Sequence, residues 1–285
     1  MDDPFRIGNR HEKGLRSDPL AGLSILTNRS NPSSPSGTDM QPPATRSSAL
    51  PSLPTRAPAV HMTWADIAFA HWRIPVDAMR PLVPAELEVD THDGDAWVGL
   101  IPFRMQDCRF RGVPPLPGLQ NFLECNVRTY VRHRGIPGVW FFSLDAESRL
   151  GVIGGRVVWG LNYRLARFDR TIEGDTFLYG LDRNKGDGAG RLDWTPGDPL
   201  PPHSEGSLEY FLVERYHLYS LRRGRLIRGR VDHPPWDLRR ATAETIDTGL
   251  VQAAGLTVQG EPVMHCSRGV QVRGFSPVPA DRDED

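Results

Sequence analysis

The chain has 285 residues, a net charge of −1 at neutral pH and 24% charged residues. Charge this close to balance provides no whole-molecule field to gather nucleic acid or anionic lipid, and no apolar run approaches the roughly 18 residues of a membrane span. Three cysteines, Cys108, Cys125 and Cys266, are odd in number, widely spaced and without a C-x-x-C, which argues against a disulfide or zinc framework and fits a reducing, cytoplasmic compartment.

Residues 1–61 read as a disordered extension. The first sixty positions hold 9 of the 26 prolines and one of the 24 aromatics, Phe5, too little apolar surface to offset the entropy of ordering. A weak likeness to a transit peptide and a natural start at Met62 are the alternatives for this segment. Residues 62–278, with all seven tryptophans, form one domain large enough to bury roughly 70% of its unfolded surface, and 279–285 form an acidic tail expected to be disordered.

Along the domain, "HMTWADIAFAHWRI" reads as a strand ended by Pro75, and "PVDAMRPLVP" as a short helix capped by Asp77, with Val83 forced out of helical geometry by Pro84. "HDGD", 92–95, is a turn before the strand "AWVGLIPFRM", and 111–119 are loop. "NFLECNVRTYV" alternates strictly: Leu123, Cys125, Val127, Thr129 and Val131 form one face, Phe122, Glu124, Asn126, Arg128 and Tyr130 the other. After "HRGIPG" comes the strand "VWFFSLDA", apolar on both faces. Between Ser148 and Trp159, Leu150, Ile153 and Val157 recur at helical spacing, with glycines that suggest close packing on the sheet. A hairpin turns at Gly174, a long Gly/Pro loop fills 184–206, and Ser207 caps a short helix before a strand. "RLIRGRVDH" and "PVMHCSRGVQVRGF" are the last strands, so the fold class is strand-dominated α+β with three short helices.

"FLECNVRTYV", "PGVWFFSLDA", "ERYHLY" and "HPPW", in that order, resemble the YqjF-like family, a bacterial domain of unknown function. Through "DAMRPLVPAELEVD" and residues 139–168 the chain is also similar to the acetoacetate decarboxylase-like superfamily. That resemblance implies a cone-shaped antiparallel β-barrel with a few short helices around a small-molecule cavity. It places Tyr163 and Arg164 where the decarboxylases carry two adjacent lysines, the first of which forms a Schiff base with the substrate ketone. Neither replacement can do so. The only lysines are Lys13, in the extension, and Lys185, in a Gly-rich loop. One family glutamate matches Glu124, and a second falls near Gly99 and is missing.

The candidate catalytic residues are Glu124 and Tyr163, as acid and base, and the candidate ligand-binding residues are Arg128, Arg164, Tyr130, Asn126 and His217. Each also has an ordinary reading. Glu124 and Arg128 could pair on a solvent face, Tyr163 could pack with Arg164 solvated on the opposite side of a strand, and His217, like His71 and His233, could be a satisfied hydrogen-bonder. Pro234 and Pro235 read as a strand end with Trp236 in the core. "RRGRLIRGR" suits a nucleic-acid backbone, but 32 of the 34 basic residues are arginine, so a hairpin at Gly224 with solvated ends accounts for it. "GDGAG" lacks the strand and helix of a dinucleotide fingerprint, and no zinc, serine-hydrolase or calcium motif is present. The expectation is a cavity for a small carbonyl- or carboxylate-bearing metabolite, serving a lyase-, hydratase- or isomerase-type enzyme that is not a Schiff-base decarboxylase. The alternative is a non-catalytic binding or sensor protein. No cofactor, metal, nucleic-acid or membrane partner is implied, and a homo-oligomer is left open.

Overall fold

A computed structural model describes residues 55–186 and 188–282. The chain divides into residues 1–41 and 42–285. The first unit, and with it most of the expected disordered extension, lies outside the described residues, as do 283–285 of the acidic tail. In chain order the elements are β1 (Val60–Ile74), α1 (Val76–Met79), β2 (Glu88–Val89), β3 (Ala96–Phe110), β4 (Phe122–His133), β5 (Ile136–Ala146) and α2 (Arg149–Trp159). They continue with β6 (Tyr163–Glu173), β7 (Thr176–Arg183), β8 (Ala189–Pro199), α3 (Leu208–Val213) and β9 (His217–Arg222). The last are β10 (Arg225–Asp232), β11 (Arg239–Asp247), α4 (Gly249–Ala253) and β12 (Val263–Pro279).

The strands join in one sheet in the order β10-β9-β5-β6-β7-β8-β11-β12-β1-β3-β4-β2. Extra pairings, β10 with β12 and β4 with β5, bring it close to a closed ring. Most pairs are antiparallel, and β5 runs parallel to both β6 and β9. Closure of this kind leaves few free edges and places side chains of the central strands in protein on both faces.

That is the situation of β4. Its odd-numbered residues Cys125, Val127 and Val131 enter one core, shared with Tyr179 of β7 and Leu192 and Trp194 of β8. Its even-numbered residues Phe122 and Tyr130 enter a second core, with Phe69 of β1, Ile101 and Phe103 of β3, the α3 residues Phe211 and Leu212, and Trp236. The alternation read from the sequence is therefore correct, and the solvent-face reading of Glu124 and Arg128 is overturned, since both are buried.

Several local expectations need correction. α1 is preceded by Pro75 at the cap position and Asp77 lies inside its first turn, because Pro75 supplies an N-terminal boundary without a side-chain bond. The domain is slightly longer than expected, with β1 starting at Val60 and Ala280 buried beyond β12. The 184–206 segment is not all loop: β8 occupies much of it, paired on one side with β7 and on the other with β11, and the burial of Leu192 and Trp194 outweighs its local turn chemistry. α2 begins as expected, with Ser148 Oγ accepting from Gly151 N at 3.0 Å, but its apolar stripe faces outward. Leu150, Ile153 and Val157 are exposed, and Val152 and Gly155 are buried. The inward side is the glycine side because a Cβ on Gly155 would come within 2.3 Å of the Tyr163 ring. The arginine hairpin turns at Arg223 and Gly224, both at positive φ, with Arg222 and Arg225 exposed at its ends, while Arg228 and Arg230 are buried.

One buried ion pair staples β7 to β5 across the intervening β6. Arg183 Nε donates to Asp145 Oδ1 at 2.6 Å and Nη2 to Asp145 Oδ2 at 2.9 Å, with Ser143 Oγ bonded to both groups. Removing one member of such a pair leaves an uncompensated buried charge. Arg183→Met is expected to destabilise by about 3–5 kcal/mol in denaturant unfolding, and the double variant Asp145→Leu/Arg183→Met by clearly less. A double-variant loss equal to the sum of the two single losses would show that the pair is not coupled.

Candidate functional site

The even-numbered face of β4 lines a cavity of about 140 Å3. That is close to the roughly 150 Å3 apolar cavity known to hold a benzene ring, so the space suits a small molecule. Its walls are largely apolar and aromatic, with Trp64 and Phe69 from β1, Phe103 from β3, Phe122 from β4 and Trp236 among them. Set into these walls are Glu124, Asn126, Arg128, Tyr163, Arg215, His217, Arg230 and His233.

Glu124 and Tyr163 meet at one end. Tyr163 enters as the first residue of β6, laid against Gly155 of α2, and its hydroxyl donates to Glu124 Oε2 at 3.1 Å. Burial of the carboxyl raises its pKa to about 8; the Tyr163 bond opposes the shift and the charge of Asp145 adds to it. At neutral pH Glu124 is therefore mostly the neutral acid, a proton donor. Burial, with Glu124 beside it, also lifts the Tyr163 phenol well above its ordinary value. Cys108, also on the cavity wall, is held as a thiol at about 12 by burial and by Glu124.

Arg128 stands two alternations further along β4, roughly 13 Å from Glu124 at ordinary strand rise. Its Nη2 donates to Leu212 O at 2.9 Å and its Nε to Tyr130 Oη at 3.4 Å, and its guanidinium lies 5.9 Å from the Phe69 ring centre. Among the described residues it has no carboxylate partner. Arg215 differs: it is paired to Asp90 at 2.7 Å. Between Glu124 and Arg128, Asn126 Oδ1 is buried without a hydrogen-bond partner. His217 Nε2 accepts from Arg230 Nη1 at 3.1 Å.

Five of the seven sequence-derived candidates thus line one cavity: Glu124, Tyr163, Asn126, Arg128 and His217. Tyr130 does not. It stands behind Arg128, donating to Leu212 O at 2.7 Å and taking the His71 imidazole at 2.6 Å. The absent carboxylate at Gly99 is explained here, since a Cβ on Gly99 would lie 2.9 Å from that imidazole. Arg164 is also outside the lining; it follows Tyr163 on a strand and points to the other side, where its Nε is buried without a partner. Arg215, Arg230 and His233 are not among the sequence-derived ligand contacts: Arg215 stands in "ERYHLY", His233 in "HPPW", and Arg230 in the "RRGRLIRGR" stretch read as a hairpin with solvated ends. Among the described residues no cluster of His, Cys, Asp or Glu could hold a metal ion, and no helix is long and apolar enough to cross a membrane.

The fold is shared with solved structures of low sequence identity. The enduracididine biosynthesis enzyme MppR, complexed with pyruvate, superposes with a TM-score of 0.57 at 16% identity, over 79% of this chain and 91% of that one. Acetoacetate decarboxylase from Legionella pneumophila gives 0.55 at 18% identity, over 81% and 92%. The strand-dominated fold is thus the acetoacetate decarboxylase-like one. In sequence, the uncharacterized protein YqjF of Bacillus subtilis is 37% identical over 219 residues, 76% of this chain and 90% of that protein. The profile of the DUF2071 family, described as an uncharacterized conserved protein, matches residues 61–271. By that match and by its identity to YqjF, the chain belongs to the DUF2071 family.

Proposed function

We propose that the cavity binds a small oxo acid or related carboxylate and acts on its carbonyl without forming a Schiff base, as a lyase-, hydratase- or isomerase-type enzyme. The observation that carries this reading is Arg128, a buried guanidinium on the cavity wall that has no counter-ion among the described residues. An unpaired buried charge is costly, and a ligand carboxylate offsets that cost with charge-assisted bonds. Glu124 is neutral at pH 7 and Tyr163 is neutral as well, so the remaining side chains offer proton donors to a carbonyl oxygen while leaving the site positive. Pyruvate bound to MppR, which shares the fold, supports the ligand class by analogy alone.

Among the described residues covalent amine chemistry has no candidate in the cavity. Lys185 is exposed at the β7–β8 turn and does not line the cavity, and Lys13 lies outside the described residues. Incubation with acetoacetate and borohydride should therefore leave the mass of the protein unchanged. Pyruvate or acetoacetate should raise Tm in the wild type and fail to do so in Arg128→Met. No Tm rise with either acid in the wild type would sink the ligand assignment, and binding with no turnover of either would favour a sensor over an enzyme.

A second expectation concerns Glu124 and pH. Its carboxyl titrates at about 8 in the folded chain against 4.5 ordinarily, so between those values the folded state holds a proton that the unfolded state has released. Stability contributed by the protonated group is full below pH 4.5 and is lost as pH rises through about 8. Glu124→Gln removes this dependence. Unfolding free energies measured across that window should favour the wild type progressively less, relative to the variant, as pH rises. A constant difference would mean that Glu124 is ionised throughout.

A further inference from the structure

The cavity as read so far has donors and a cation, and a reaction at carbon also needs a proton acceptor. Neither Glu124 nor Tyr163 serves at neutral pH, because burial keeps both protonated. Two histidines line the cavity. His217 already accepts from Arg230 at its Nε2. The Nδ1 of His233 lies 2.8 Å from the carbonyl oxygen of Pro234, and since a carbonyl only accepts, Nδ1 carries the hydrogen. That leaves Nε2 as the ring's lone-pair nitrogen, with no partner among the described residues, on a ring that forms part of the cavity wall.

The sequence around His233 fixes this arrangement. Pro234 has its φ locked by its ring, and the following Pro235 restricts Pro234 to extended geometry, so the carbonyl that sets the tautomer is itself held in place. The imidazole is packed between aromatic rings, with Tyr216 stacked on it at 4.7 Å and 26°, Trp236 at 5.4 Å and Trp64 at 6.1 Å. Two of those rings are tied down by one buried carboxylate. Glu214 accepts from Tyr216 Oη, from Trp236 N at 2.9 Å and from His203 Nε2 at 2.7 Å. Burial, with a further contribution from Arg128, holds His233 below its ordinary pKa, while Glu214, Asp232 and the Pro234 carbonyl act in the opposite sense. The ring is thus neutral and able to take a proton at neutral pH.

We propose that His233 is the catalytic base of the cavity and that the chemistry it serves is enolisation of a small oxo acid. This rests on the oxo-acid reading of the site and adds to it the reacting bond. The C–H bond beside the carbonyl breaks, its proton passes to His233 Nε2, and its electron pair becomes the C=C bond of the enol. The carbonyl oxygen takes the proton of the Glu124 carboxyl, and the resulting carboxylate accepts from Tyr163. The substrate carboxylate stays on Arg128. Reversal restores every group, so in D2O the site exchanges the hydrogens beside the carbonyl. Glu214, Tyr216 and Pro234 are positioning residues for the ring.

The test uses the full chain, with pyruvate as probe. Proton NMR in D2O should show the protein accelerating exchange of the pyruvate methyl hydrogens. His233→Asn, which keeps a donor for the Pro234 carbonyl and removes Nε2, should slow that exchange by about 100-fold or more while keeping the Tm rise with pyruvate. Nitrogen-15 spectra of histidine-labelled wild type should show His233 with Nε2 unprotonated, a readout that needs neither ligand nor variant. A Tm rise without exchange in the wild type overturns the base and leaves the ligand reading intact. Exchange undiminished in a folded His233→Asn overturns the assignment to this residue, and so does a protonated Nε2 in the resting protein. No Tm rise and no exchange overturn the ligand reading and the proposal together.

Discussion

From Glu124 to Val131, strand β4 has water on neither side. Because the sheet nearly closes through the β4–β5 and β10–β12 pairings, each of these residues must fit into one of two protein interiors, and a polar residue there needs a partner or a ligand. Glu124 meets the constraint by keeping its proton and sharing Tyr163. Arg128 meets it only in part, with one carbonyl, one phenol and the faces of two aromatic rings. Asn126, between them, leaves its oxygen unsatisfied. An interior designed only for stability would not place these three side chains on one wall.

The neighbouring strands and helices are adjusted to that wall. α2 turns its glycine side inward so that the Tyr163 ring reaches Glu124, and its apolar side chains are left facing solvent. Gly99 leaves room for His71, which supports Tyr130, which in turn supports Arg128. The irregularity in β1 at Asp66, at positive φ, sets Asp66 against Arg104 and Arg170. The polar wall of the cavity is thus held by the contacts behind Arg128 and by backbone positions where a Cβ would intrude.

Much of this was legible in the sequence, and the failures have physical reasons. The alternation of β4, the Ser207 cap, and the turns at Gly174 and Gly224 are local features, and they appear where local chemistry puts them. β8 was misread because Gly190, Pro196 and Gly197 carry turn signals that two flanking strands override. β11 has no counterpart in the sequence reading: it lies between β8 and β12 but alternates only between half-buried and exposed, so it carries little hydrophobic pattern. The face of α2 was misassigned because periodicity marks which residues share a side and is silent on whether a ring from a distant strand requires the glycine side instead. At the site, Glu124, Asn126 and Arg128 share a wall because period-2 alternation is strict. Arg164 fails by the same rule, being adjacent to Tyr163. Arg215 and Arg230 could not be ranked, since arginine is frequent along the whole chain and only the fold shows which ones are buried.

On the oxo-acid reading proposed above, the charges in the cavity also couple ligand binding to acid–base strength. After burial, Arg128 is one of the groups that depress the basicity of His233, and among the described residues it has no carboxylate partner to weaken its field. A carboxylate seated on Arg128 cancels that field from within the same low-dielectric space, so the imidazole becomes a stronger base when an anion is present. The same negative charge disfavours a second one on Glu124 and keeps its proton in place for the carbonyl oxygen. A neutral ligand of equal size would fill the volume without cancelling the field of Arg128. On the oxo-acid reading proposed above, a guanidinium without a counter-ion among the described residues does more than select for charge: an anion seated on it also makes the imidazole a stronger base.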